Sequence, residues 1–191
     1  MPSIATVPDS GVPGLDSDDV FCRGWSEFAA TFQALAFMSA SGADPAGAVR
    51  AEVVAAGAVL DAVVTIDSSF PEVIAGERRW FVDGLLGPFT RRAERARDEL
   101  LAAGLSPTGI DELGAVWLDA LANAGLAAPA VQVPDPFRSA VDTAAASFSA
   151  ALPAIGDDPS LVTDAATPET VAYISATCPD QGTLGGYDVI D

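Results

Sequence analysis

The sequence predicts an all-α fold, a single-domain antiparallel bundle of six or seven helices. Apolar residues recur at alternating spacings of three and four, which collects them on one stripe of a helix. Prolines follow good capping residues at Asp44-Pro45, Ser106-Pro107, Asp135-Pro136, Asp158-Pro159 and Thr167-Pro168, where the missing proline N–H would be unpaired anyway. Half of the chain is apolar but only 7% is aromatic, and alanine, the best helix former, supplies much of the difference.

Taken in order, the first segment carries Phe21, Trp25, Phe28, Phe32 and Leu35, and the second Val49, Val53, Ala56, Leu60 and Val63. Ser69-Phe70-Pro71-Glu72 has the form of a capping box opening a third helix, with Ile74, Trp80, Phe81 and Leu85 inward and a stop or kink at Gly87-Pro88. The fourth helix, Phe89 to Ala103, is the most polar and meets a left-handed glycine at Gly104. A fifth presents Ile110, Leu113, Trp117, Ala120 and Ala124, and a sixth, after a Pro-rich connection from Ala127 to Asp135, presents Phe137, Val141, Ala144, Phe148 and Leu152. A turn near Pro159 to Ala165 precedes a last helix, Pro168 to Cys178, with Val171, Ile174 and Cys178 on one face. Val131-Gln132-Val133 alternates but is too short for a strand, and no repeat of fixed period points to a solenoid. Glycines at 24, 47, 57, 76, 84 and 114 each cost a helix up to about 1 kcal/mol against alanine. Close approach of neighbouring backbones is the expected compensation. Room for a ligand is the alternative.

Composition narrows function by exclusion. There are 27 acidic residues against 9 basic, a formal net charge of −18, so phosphate backbones and anionic lipid are repelled. Every basic residue is arginine, and the absence of histidine removes the commonest general base and metal ligand. Asp18/Asp19 and Asp157/Asp158 lack the spaced oxygens of a calcium loop, and no nucleophile elbow or phosphate loop is present. No catalytic residue, metal site or cofactor is therefore expected. The most apolar run, Ala55 to Ile66, is broken by Asp61, so no transmembrane segment is expected either.

Cys22 lies in the first turns of the first helix and Cys178 at the end of the last. Antiparallel packing of those helices would bring the two thiols together as a disulfide. Closing a loop of about 157 residues is worth roughly 5 kcal/mol in the chain-entropy model. The alternative is a pair of buried, unpaired thiols acting as small hydrophobes. Disulfides persist in oxidising compartments, so the pair bears on location. Met1 to Asp19 carries neither a basic n-region nor an apolar h-region, so no signal peptide is expected in the sequence as written. A cytoplasmic protein and the mature form of an exported one both remain open, with the acidic N-terminal stretch as a tether in the second case.

Six of the nine arginines fall between Arg78 and Arg97. Arg78, Arg79, Arg91, Arg92 and Arg95 form the candidate contact zone for an acidic protein partner or an anionic small ligand, because guanidinium grips carboxylates in bidentate fashion. The plainer reading is a solvated helix balanced by Glu94, Asp98 and Glu99. Trp80-Phe81 beside Arg78-Arg79 would line a groove in the first reading and belong to the core in the second.

Phe21-Cys22 opening an aromatic-rich helix, Phe70-Pro71-Glu72-Val73-Ile74 opening a middle one, and Val171-Ala172-Tyr173-Ile174 leading to Cys178 carry a family resemblance. The layout resembles small, uncharacterised, Ala-rich exported proteins and lipoproteins of high-GC actinobacteria with one early and one late cysteine. That resemblance implies export and a disulfide, with no active site to transfer. The expected organisation is a flexible acidic segment 1–15, a helical domain 16–178 and an irregular tail 179–191. The expected function is non-enzymatic: an exported, extracellular or envelope-associated helical domain that binds a partner or small ligand. The alternative is a cytosolic regulatory or assembly protein that uses the arginine-rich segment against an acidic partner.

Overall fold

The computed structural model describes residues 12–124, 131–155 and 167–179, and these form helices and no strand. The α-helices are α1 (Val20–Ser41), α2 (Pro45–Ser68), α3 (Gly87–Ala102), α4 (Pro107–Ala124), α5 (Asp135–Ile155) and α6 (Pro168–Thr177). Between α2 and α3 lie a 3-10 turn, Glu72–Glu77, and a π-helical turn, Trp80–Leu85. The all-α bundle expected from the stripe spacing is the fold observed.

The caps follow local chemistry. Asp19 accepts from the Cys22 N–H at 3.0 Å and Asp44 from the Gly47 N–H at 2.9 Å, starting α1 and α2. Ser106 Oγ accepts from the Gly109 N–H at 3.1 Å ahead of α4. The end of α3 is closed by Leu105 N–H to Leu100 O and Gly104 N–H to Leu101 O, with Gly104 at φ 91°, a left-handed conformation that a Cβ would strain. Asp158-Pro159 and the turn near it lie outside the described residues.

Helix α2 is the axis of the bundle. Seven consecutive residues, Val53 to Val59, are buried, and α1, α3, α4 and α5 all pack on it. A helix apolar on every side has to be enclosed on every side. The crossing of α2 and α4 is close because it is made by glycines. A Cβ on Gly57 would stand 2.9 Å from the Ile110 carbonyl oxygen, and one on Gly114 would stand 2.9 Å from the Ala58 nitrogen. Backbone approach is thus the reason for Gly57 and Gly114, at Gly24 the Thr65 side chain takes the space, and Gly76 has open space beside it. Trp117 of α4 is fully buried against this axis and donates its indole N–H to Thr31 Oγ1 of α1 at 2.9 Å.

Residues 69–86 depart from the sequence expectation. No capping box forms there: Ser69 bonds back to Thr65 O as the end of α2, and Pro71 precedes a 3-10 turn without a side-chain cap. Ile74 interrupts that turn with non-helical torsions, and the next residues wind as a π-turn. One π-turn advances the register against a regular helix, so Phe81 turns inward, 1% exposed, and Trp80 turns out, 56% exposed. Gly87-Pro88 opens α3 instead of ending a helix. In α6 the inward residues are Thr170 and Cys178, with Tyr173 and Ile174 half-buried; Val171 faces outward. Ahead of α1, Val12 is buried and Leu15 packs on the core.

Candidate functional site

Cys22 and Cys178 are bonded, with Cα atoms 5.1 Å apart, joining the first turn of α1 to the end of α6. Both sulfurs are buried, and no free cysteine remains. The contacts around the bridge are aromatic. Phe21 meets Phe70 and Tyr173 edge-on at 5.5 and 5.8 Å between centroids, and Phe70 continues to Phe81 at 5.9 Å. At the other end of α6, Glu77 of the 3-10 turn takes three hydrogen bonds: from the Glu169 N–H at 3.1 Å, and from the Thr170 N–H and hydroxyl at 2.8 Å each. Desolvation pushes Glu77 up, but these three donors outweigh it and hold the carboxyl below its ordinary value. Thr167, placed to cap the helix by sequence, makes no cap bond.

The arginine segment does not form one free patch. Arg78 forks onto both carboxylate oxygens of Asp67 at 2.8 and 2.9 Å, which raises its pKa further. Arg92 reaches across to Glu52 of α2 with both Nε and Nη2 and lies 5.8 Å over the Phe148 ring. Arg95 holds Glu99 one turn on at 2.6 Å, and Glu99 also accepts from Ser147 of α5 at 2.6 Å. The guanidinium of Arg91 folds over Gly87, the residue that opens α3. Arg79 is exposed, and no ion pair is recorded for it among the described residues. Two of the five candidate arginines, Arg78 and Arg92, therefore tie separate elements together, and Arg95 pairs within α3. Their ion pairs are at least partly solvated, so solvent and salt screen them and they contribute little to stability.

The chain matches no family model, no curated protein sequence and no solved structure.

Two hollows adjoin this region. One, about 50 Å³, is walled by Phe28, Phe32, Leu35, Val59 and Phe89 with the Glu52–Arg92 pair at its edge. A drug-sized ligand needs roughly 300–1,000 Å³, so this space fits a methyl group or a single water. The second, about 220 Å³, is an open trough beside Val63, Val82, Asp83, Gly87, Thr90 and Arg91.

Glu27 of α1 and Asp61 of α2 are the carboxyls pushed upward. Burial is the main cause at Glu27, opposed by Arg23 and reinforced by Asp61. At Asp61 burial again leads and Asp111 adds to it. Raised carboxyls can serve as general acids, but neither residue lines either hollow. Among the described residues no His, Cys, Asp and Glu cluster has the arrangement of a metal site, and no helix is long and apolar enough to cross a membrane.

The clamp by Glu77 was not legible in the sequence, because its partners lie 92 and 93 residues away. Apolar spacing places Trp80 in the core, whereas it stands exposed at the start of a π-turn that leaves no signature in that spacing.

Proposed function

We propose that this chain is an exported, envelope-associated helical domain that acts by contact and not by chemistry. The observation that supports this most is the Cys22–Cys178 bridge, because a disulfide with two buried sulfurs persists in an oxidising compartment. A protein partner fits better than a small ligand, since the hollows beside α3, about 50 and 220 Å³, both fall short of the roughly 300 Å³ that a drug-sized ligand needs. The contact zone we propose is the arginine segment, Arg78, Arg79, Arg91, Arg92 and Arg95. Within it Arg79 adjoins the exposed Trp80, and these two residue types dominate the energetics of protein interfaces.

Native protein, quenched with a thiol reagent and analysed intact under denaturing, non-reducing conditions, should weigh two hydrogen atoms less than the reduced chain. It should also take up no label. Full labelling of both thiols removes the support for export and favours the cytosol. The contact zone is tested by changing Arg79, Arg91, Arg92 and Arg95 to Gln together. A co-purifying partner that stays bound with unchanged salt dependence would rule this surface out.

A further inference from the structure

Helix α6 contributes little to the core. Apart from Thr170 and Cys178 its residues are exposed or half-buried, and its packing on the described body falls mainly on the 3-10 turn. By contrast Val53, Val54, Leu113, Trp117, Leu121, Val141 and Phe148 of α2, α4 and α5 are closed around one another without it. Its ten residues include Thr170, Val171, Ile174 and Thr177, all β-branched, and a helix this short is marginal in water. It keeps its shape because it is fastened at both ends, by Glu77 on the Glu169 and Thr170 amides and by Cys22 on Cys178, with Tyr173 lying on Phe21 between them.

We propose that the bridge is a redox latch on α6. Oxidised, it holds Tyr173 of α6 against Phe21. Reduced, α6 leaves while α1 to α5 stay folded. The reductant is a dithiol. Its thiolate attacks Cys178 Sγ, on the less deeply buried of the two residues, and Cys22 leaves as a thiolate that takes up a proton. The second thiol then displaces Cys178. Two electrons and two protons pass to the protein, and the dithiol ends as a disulfide. Opening uncovers Phe21, which is 2% exposed under Tyr173, so a chain whose thiols are reduced carries an aromatic face that the oxidised chain hides. The latch rests on the bridge and on the packing of α6, not on the export reading.

Hydrogen exchange on the full chain, with and without a dithiol reductant, tests the latch. The Val171 and Cys178 amides, bonded to Thr167 O at 3.0 Å and Ile174 O at 2.9 Å, should lose more than about tenfold in protection on reduction. Amides of α2 between Val53 and Ile66 should change by less than about threefold. Chymotrypsin should cut after Tyr173 in the reduced protein and spare that bond in the oxidised one. The double variant Cys22→Ala, Cys178→Ala should behave as the reduced protein does. Glu77→Ala with the bridge intact should loosen only the first turn of α6. Three results overturn the latch: unchanged protection in α6 on reduction, equal loss in α2, or full release of α6 by Glu77→Ala alone.

Discussion

Replacing Thr31 by valine isolates one buried hydrogen bond from the packing around it. Valine has the shape of threonine, so α1 keeps its contacts, but the acceptor 2.9 Å from Trp117 Nε1 is gone. Trp117 is 0% exposed and Thr31 1%, so bulk water does not reach the stranded N–H. The hollow beside Thr31 is walled mainly by Phe28, Phe32, Leu35, Val59 and Phe89, and a water entering it would find too few polar partners to replace the bond. A buried donor left without a partner costs about 1–3 kcal/mol. Burying a methyl in place of a hydroxyl returns about 0.8 kcal/mol. The net loss should be roughly 0.2–2 kcal/mol, or up to about 8 °C in Tm for a domain of this size. Urea unfolding followed by far-UV circular dichroism measures it without relying on indole fluorescence. The decisive arm is the same change in a Trp117→Phe background. With no indole N–H to strand, Thr31→Val should then be close to neutral or slightly stabilising. An equal cost in both backgrounds would refute the reasoning, and so would a gain in stability in the otherwise unchanged chain.

Gly114→Ala should destabilise by about 1–2 kcal/mol, because the new Cβ meets the Ala58 backbone at 2.9 Å and the gain in helix propensity only partly offsets the forced separation of α2 and α4. Gly76→Ala, with open space around it, should be neutral or mildly stabilising in the same melt. Arg92→Gln should cost up to about 1 kcal/mol by leaving the Glu52 side chain, 17% exposed, without its bidentate partner, and Glu52→Gln in the same chain should recover part of that loss. The pH dependence follows from three carboxyls. Glu27 and Asp61 have folded pKa values above their ordinary 4.5 and 3.8, so the folded state takes up protons first and stability rises as pH falls from neutrality toward those values. Glu77 has a folded value below 4.5, so its contribution is complete above 4.5 and is lost as pH falls through that lower value. Denaturation midpoints across this range should therefore peak on the acid side of neutrality, and a peak above pH 7 would contradict these assignments.

The helices were legible because their information is local. Stripe spacing, proline after a cap and a glycine stop specify α1, α2, α4 and α5 within a few residues. The cysteine pair was legible because the two thiols stand at the ends of the first and last helices. The segment from Ser69 to Leu86 was not, since a 3-10 turn followed by a π-turn answers to tertiary fit against Phe21 and Trp25. The partners of the arginines were hidden for the same reason. Nothing in the neighbourhood of Arg92 announces Glu52, forty residues back on the axis helix. Charge spacing along α3 reveals only the pairing of Arg95 with Glu99, which lies within one turn.

Because Cys22 and Cys178 are 156 positions apart in sequence but 5.1 Å apart in space, the shortest covalent path between the chain before Cys22 and the chain after Cys178 runs through a single S–S bond. Tension carried by the chain on either side of the bridge passes through the first turn of α1 and the end of α6, and the bundle between bears almost none of it. Unravelling that loop would release roughly 500 Å of contour length, at about 3.3–3.6 Å per residue. While the bridge holds, none of this length is available to a pulling force. For a domain strung between a surface and a partner, the bridge turns a compressible bundle into an inextensible link, and its reduction sets the moment at which that link gives way.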